Sequence, residues 1–184
     1  MATEIEETAS PDSPLSRHVV SRRLCDVDTT AALAEEVAVL ARPGDVIALG
    51  GDLGCGKTTF ARAFIRALAI LHGEGDREEE VPSPTFTLVQ IYQRLPAPVW
   101  HFDLYRVEKP EEAYELGIEE AFEGAISLVE WPQRLGRLLP TERLDLDLKF
   151  SSEAPEDDIS CEPRRATLTG HGVWAARLEG LEGP

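Results

Sequence analysis

The chain has 184 residues, of which 34 are Asp or Glu and 18 are Lys or Arg, for a formal net charge of −16. The length fits one domain of about 150 residues with a tail, and a hydrophobic share of 42% fits a globular fold with a real core. The acid excess excludes a protein built mainly to grip DNA or RNA backbone, which needs a basic face, and no run approaches the ~18 apolar residues of a membrane span.

Residues 1–16 read as a solvated acidic tail carrying Glu4, Glu6, Glu7 and Asp12. They resemble neither a secretory signal nor a basic transit peptide, so the cytoplasm is the expected compartment. One domain is expected over 17–180, opening with a short strand at 18–24. Asp28, Thr29 and Thr30 then precede Leu33, Val37 and Leu40 at helical spacing, and Pro43 with Gly44 ends that helix. VIAL (46–49) is an apolar run bounded by glycines, as in a strand buried on both faces. A glycine-rich turn leads into a helix running to about Leu71, with Phe60, Phe64, Ile65 and Leu68 on its apolar side. HGEGDREEE (72–80) reads as a surface loop.

Strand patterning returns at Thr85 in TFTLVQIYQRL and, after the Pro96–Pro98 turn, in VWHFDLYRV. Pro110, Glu111 and Glu112 mark a helix start that continues through YELGIEEAF. AISLVEW (125–131) is a short apolar strand ending in Glu-Trp, and RLDLDLKF (143–150) alternates with period two. Residues 151–160 form a loop, RRATLTG a last strand and VWAARLEGL a short C-terminal helix. Early strand–helix alternation followed by hairpins predicts an α/β fold of the three-layer P-loop NTPase type, with a mostly parallel central sheet and an antiparallel C-terminal extension. Cys25, Cys55 and Cys161 are too scattered for a disulfide framework, and His18, His72, His101 and His171 share no ligand spacing, so no zinc site is expected.

The strongest chemical signal is Gly51-Asp52-Leu53-Gly54-Cys55-Gly56-Lys57-Thr58, which fits G-x-x-x-x-G-K-[ST] between a predicted strand and a predicted helix. Glycines let successive backbone N–H groups converge on a phosphate at a helix N-terminus. Lys57 would reach the β- and γ-phosphates, and the Thr58 hydroxyl would ligate Mg²⁺. Such a site also needs an acidic group at the end of a buried strand. Asp103, after VWHF, and Glu130, after ISLV, both qualify, and the sequence alone does not rank them. Ser83, Pro84 and Thr85 fall where a first switch loop would sense the γ-phosphate.

GDLGCGKTTF, SPTFTLV, HFDLYR and LVEWPQR, in this order and at about these spacings, resemble the TsaE (YjeE) family, small bacterial P-loop ATPases of the threonylcarbamoyladenosine tRNA-modification pathway. The resemblance spans roughly residues 25–170. It implies ATP or ADP and Mg²⁺ as cofactors, and work alongside two partner proteins, TsaB and TsaD. TsaD transfers the threonylcarbamoyl group to A37 of ANN-decoding tRNAs and TsaB scaffolds it, so tRNA would be reached only through the partners. By motif matching, Gly51, Asp52, Leu53, Gly54, Cys55, Gly56, Lys57, Thr58 and Thr59 would take the phosphates, and Thr58 with Glu130 the Mg²⁺. Lys57, Asp103 and Glu130 would be catalytic, with Asp103 positioning the water. Ser83 and Thr85 would form the switch, Trp131 would lie beside the nucleotide, and Thr30 and Arg164 would make further nucleotide contacts.

One departure concerns Cys55, which stands where the family usually has Ala. It is either a small space-filling residue or a thiol of lowered pKa that makes ATP binding redox-sensitive. Two rival functions share the fold. A small-molecule kinase would use Arg134, Arg137 and Arg143 in segment 132–143 as a lid. A nucleotide-gated binding module would bind ATP without productive hydrolysis. His101 reads as a packed strand histidine near the Asp103 region, and Arg106 as a surface ion-pair former or a γ-phosphate partner.

Overall fold

Period-two alternation along the strands sends side chains to both faces of one seven-stranded sheet, described in the computed structural model over residues 16–74, 80–151 and 163–181. The strands are β1 (Arg17–Leu24), β2 (Val46–Gly51), β3 (Val89–Tyr92), β4 (Val99–Asp103), β5 (Ile126–Glu130), β6 (Leu144–Phe150) and β7 (Arg164–His171). Their order is β1-β7-β6-β2-β5-β4-β3. The central strands β6, β2, β5 and β4 run parallel, β7 and β3 flank them antiparallel, and β1 pairs antiparallel with β7 at the edge. The expected fold class is therefore the observed one, with an additional antiparallel strand, β3, beside β4.

Helices α1 (Val27–Leu40), α2 (Lys57–Leu71), α3 (Glu112–Glu115), α4 (Ile118–Gly124) and α5 (Val173–Glu179) cover the sheet, with a 3-10 segment over Pro132–Leu138. Ile47, Leu49, Leu128 and Leu146 pack with Leu33 and Val37 of α1 and Phe60 and Phe64 of α2 in the larger core. Val46, Phe102 and Val129 face the other way, onto Ile118 and Ala121 of α4 and onto Leu135. β2 and β5 are thus buried on both faces, which is why VIAL is an unbroken apolar run and ISLV is apolar but for the buried Ser127. No helix among the described residues is long and apolar enough to cross a membrane.

Three elements depart from the sequence expectation for local reasons. α1 begins at Val27 because Asp26 caps it: its carboxylate accepts from the Thr29 N–H at 2.7 Å, and the Thr29 hydroxyl accepts from the Asp26 N–H at 3.1 Å. The Thr29 N–H first, and then the Thr29 hydroxyl donating to Oδ1 at 2.8 Å, hold the Asp26 carboxyl below its usual range. The helix expected from Pro110 is two short ones. Gly117 breaks it at φ 78°, where a Cβ would stand 3.0 Å from the Trp100 ring. The strand expected from Thr85 starts only at Val89. Before it the chain turns, with the Leu88 N–H donating to Pro84 O at 2.6 Å and Leu88 itself at φ 65°. Residues 1–15 of the acidic tail, 75–79 of the first loop, 152–162 of the second and Cys161 lie outside the described residues.

Candidate nucleotide and metal site

β2 runs into the glycine loop at Gly51 (φ 117°), where a Cβ would lie 2.1 Å from the Leu148 carbonyl of β6, so no other residue passes there. The loop then turns into α2 through Gly56, also at positive φ (110°), and no side chain caps the helix. The first amides of α2 are therefore left for a ligand, at the positive end of a four-turn dipole. The buried Lys57 ammonium donates to Gly51 O at 2.8 Å and Asp52 O at 2.7 Å, and sits 4.0 Å from the Trp131 ring centroid. Neutral carbonyls and a π face keep the cation in place without consuming its charge.

The C-terminal ends of the parallel strands supply the opposing wall. Asp103 and Glu130 are paired in register on β4 and β5, and Leu49 of β2 pairs with Glu130, so loop and carboxylates lie side by side. Both carboxylates are buried, yet their partners differ. Glu130 accepts the Thr58 hydroxyl on Oε1 at 2.8 Å and on Oε2 at 3.0 Å, and its Oε1 lies 2.9 Å from His101 Nε2. Asp103 accepts the Thr85 hydroxyl on Oδ2 at 2.8 Å and the Tyr105 N–H on Oδ1 at 3.1 Å, and Ser83 Oγ lies 2.7 Å from Thr85 Oγ1. The two acids left unranked by the sequence are thus sorted. Glu130 belongs with the hydroxyl of the glycine-loop helix, and Asp103 belongs with the switch segment.

A hydroxyl and a carboxylate in contact suit Mg²⁺, a hard cation that takes one or two protein oxygens and fills its octahedron with phosphate oxygens and water. Converging amides and Lys57 likewise suit a polyphosphate. These groups meet in a cleft of about 190 Å³ lined by Leu53, Gly54, Gly56, Lys57, Thr58, Thr59, Thr85, Asp103, Tyr105, Glu130 and Trp131. Ser83 stands one hydrogen bond behind the lining. Thr30 is not among these residues. It is buried in the first turn of α1 with its hydroxyl on Asp26 O at 2.9 Å. Arg164 stays behind the loop, where its Cδ would touch a Cβ on Gly56 at 3.9 Å and its guanidinium lies 5.5 Å from the Phe150 ring centroid.

Burial pushes the Cys55 thiol up, against the opposing pull of the Lys57 charge. The side chain is part of the larger core. This corrects the expectation of an activated thiol, since desolvation outweighs the helix terminus, and the space-filling alternative stands. Arg106 lies 4.5 Å from the Phe86 ring centroid, and Arg143 forks onto Asp145 at 2.6 and 3.1 Å. Arg134 and Arg137 are exposed, and none of the three lid arginines lines the cleft. Sequence reasoning missed Tyr105, whose ring is 4.9 Å from that of Trp131, and it placed His101 near Asp103 rather than on Glu130. Period two was the available signal: His101 and Asp103 share a face of β4.

A parallel-centred α/β sheet whose central strand feeds a glycine loop into an uncapped helix, beside two acidic strand ends, defines the P-loop class of fold. Residues 24–159 match the family model described as threonylcarbamoyl adenosine biosynthesis protein TsaE. The chain is 40% identical over 123 residues to the tRNA threonylcarbamoyladenosine biosynthesis protein TsaE of Rickettsia bellii (strain RML369-C), covering 67% of this chain and 81% of that one. It is 41% identical over 132 residues to the protein of the same name from Bacillus subtilis (strain 168), covering 71% and 78%. Its fold is similar to the crystal structure of Bacillus subtilis YdiB, with a TM-score of 0.70 and 30% identity over 92% of this chain and 97% of that one. The chain belongs to the TsaE family, whose members take part in threonylcarbamoyladenosine biosynthesis.

Proposed function

We propose that the chain is a Mg²⁺-dependent ATPase that sustains threonylcarbamoylation of A37 in ANN-decoding tRNAs, acting with TsaB and TsaD in the cytoplasm and meeting tRNA only through them. The observation that carries this reading is the contact of Thr58 with Glu130 beside Lys57, at the mouth of the glycine loop. A bound Mg²⁺ would neutralise phosphate charge. Thr58 and Glu130 are the residues that would hold it. The loop amides and Lys57 bind and orient the phosphates and stabilise charge that develops in the transition state. Asp103, tied through Thr85 to the segment that would sense the γ-phosphate, orients the attacking water. For the kinase alternative, Arg143 is paired with Asp145 and Arg134 and Arg137 are exposed outside the cleft lining, so no observation favours it over this reading.

The test is multiple-turnover threonylcarbamoyladenosine formation on tRNA in a system reconstituted with TsaB, TsaD and the adenylate-forming enzyme. The intact protein sustains repeated turnover, and omission or Lys57→Ala stops it after the first round. Turnover that is indifferent to the protein sinks the reading.

A further inference from the structure

We infer that His101 is a positioning residue that fixes the Glu130 carboxylate for the divalent cation, an inference that rests on the proposed nucleotide reading. His101 is fully buried on β4, and its register partner on β5 is Leu128, one same-face step before Glu130. The imidazole therefore reaches the carboxylate diagonally across the strand pair. Nε2 lies 2.9 Å from Glu130 Oε1. A carboxylate only accepts, so Nε2 carries the hydrogen it donates, while Nδ1 meets no partner. A histidine kept only for packing in this apolar layer would leave both nitrogens without purpose. Here the one polar bond it makes goes to the acid beside Thr58.

The geometry also says why Thr58 does not suffice. Its hydroxyl spans both Glu130 oxygens, and it would have to reorient once its own oxygen ligates a cation. His101 does not line the cleft. Its bond to Oε1 is the clamp that persists when the cation arrives, as outer-shell donors do in metal sites.

The experiment titrates Mg²⁺ against binding of a fluorescent ATP analogue, alone and in EDTA, for the intact protein and for His101→Leu, His101→Gln and His101→Asn, with Mn²⁺ spin resonance as a second probe of the cation. His101→Leu weakens the apparent cation affinity by about 10- to 100-fold and leaves binding in EDTA unchanged. The Gln variant, whose amide N–H reaches Oε1, recovers most of the loss, and the shorter Asn variant does not. A folded Leu variant with an unchanged cation titration overturns the inference and leaves the nucleotide reading intact. If the Leu variant does not fold, the Gln and Asn pair decides, and equal behaviour of those two overturns it. An intact protein whose nucleotide binding ignores the cation overturns both.

Discussion

The two acidic strand ends of this protein stand side by side and are built differently. Glu130 is held by α2 through Thr58 and by β4 through His101, all in regular structure, with Glu130 and His101 buried and Thr58 half-buried at the cleft. Asp103 is held by the Tyr105 N–H and by Thr85, which pairs with Ser83 on a turn that contains Phe86, 82% exposed, and ends at the left-handed Leu88. A side chain fixed by packed elements is preorganised, whereas one hung on a strained turn follows that turn. Under the proposed function, the constant task of holding a cation would fall to Glu130, and the task that changes with the γ-phosphate to Asp103.

The largest effect comes from Lys57→Ala, which removes the ammonium held at the glycine loop. ATP turnover measured by phosphate release falls by at least about 100-fold while the circular dichroism spectrum is unchanged. Glu130→Gln and Asp103→Asn separate the walls. The first loses the Mg²⁺ dependence of nucleotide binding. The second keeps that dependence and loses about 10²- to 10⁴-fold in turnover. The opposite pairing of phenotypes would break the comparison outright. Phe86→Ser sharpens it further: an exposed side chain on a turn shifts unfolding free energy by no more than about 0.5 kcal/mol in denaturant melts, whereas a large loss would show the turn to be packed after all.

The smallest effect lies away from the site, at the cap of α1. The folded pKa of Asp26 is depressed below the ordinary carboxyl value of 3.8, so its stabilising contribution is present above that value and is lost as the pH falls through the folded pKa. Thermal unfolding of Asp26→Asn, which caps without titrating, should vary less with pH than the intact protein below about pH 4. Parallel pH curves would show that the cap carries no linkage.

Much of the site was legible because it is contiguous. The glycine loop, Lys57 and Thr58 occupy eight consecutive positions, and each residue type follows from the backbone geometry a phosphate requires. The strand ends of Asp103 and Glu130 were equally readable from apolar runs. Their division of labour was not, since it depends on β4 and β5 being neighbours in register, and strand order leaves no mark on either segment. Thr30 and Arg164 came from motif matching alone, and both lie outside the lining of this cleft, Thr30 in the first turn of α1 and Arg164 next to Gly56.

Local chemistry in the sequence determined the fold class, the layers of the sheet and the phosphate loop, because helical and strand periods and glycine torsions act over a few residues. Only the tertiary structure decided which acid met Thr58, that His101 met Glu130 rather than Asp103, and that burial pushed the Cys55 thiol up rather than down. Those outcomes depend on groups brought together from distant parts of the chain, where desolvation and hydrogen-bond geometry outweigh any preference a residue carries alone.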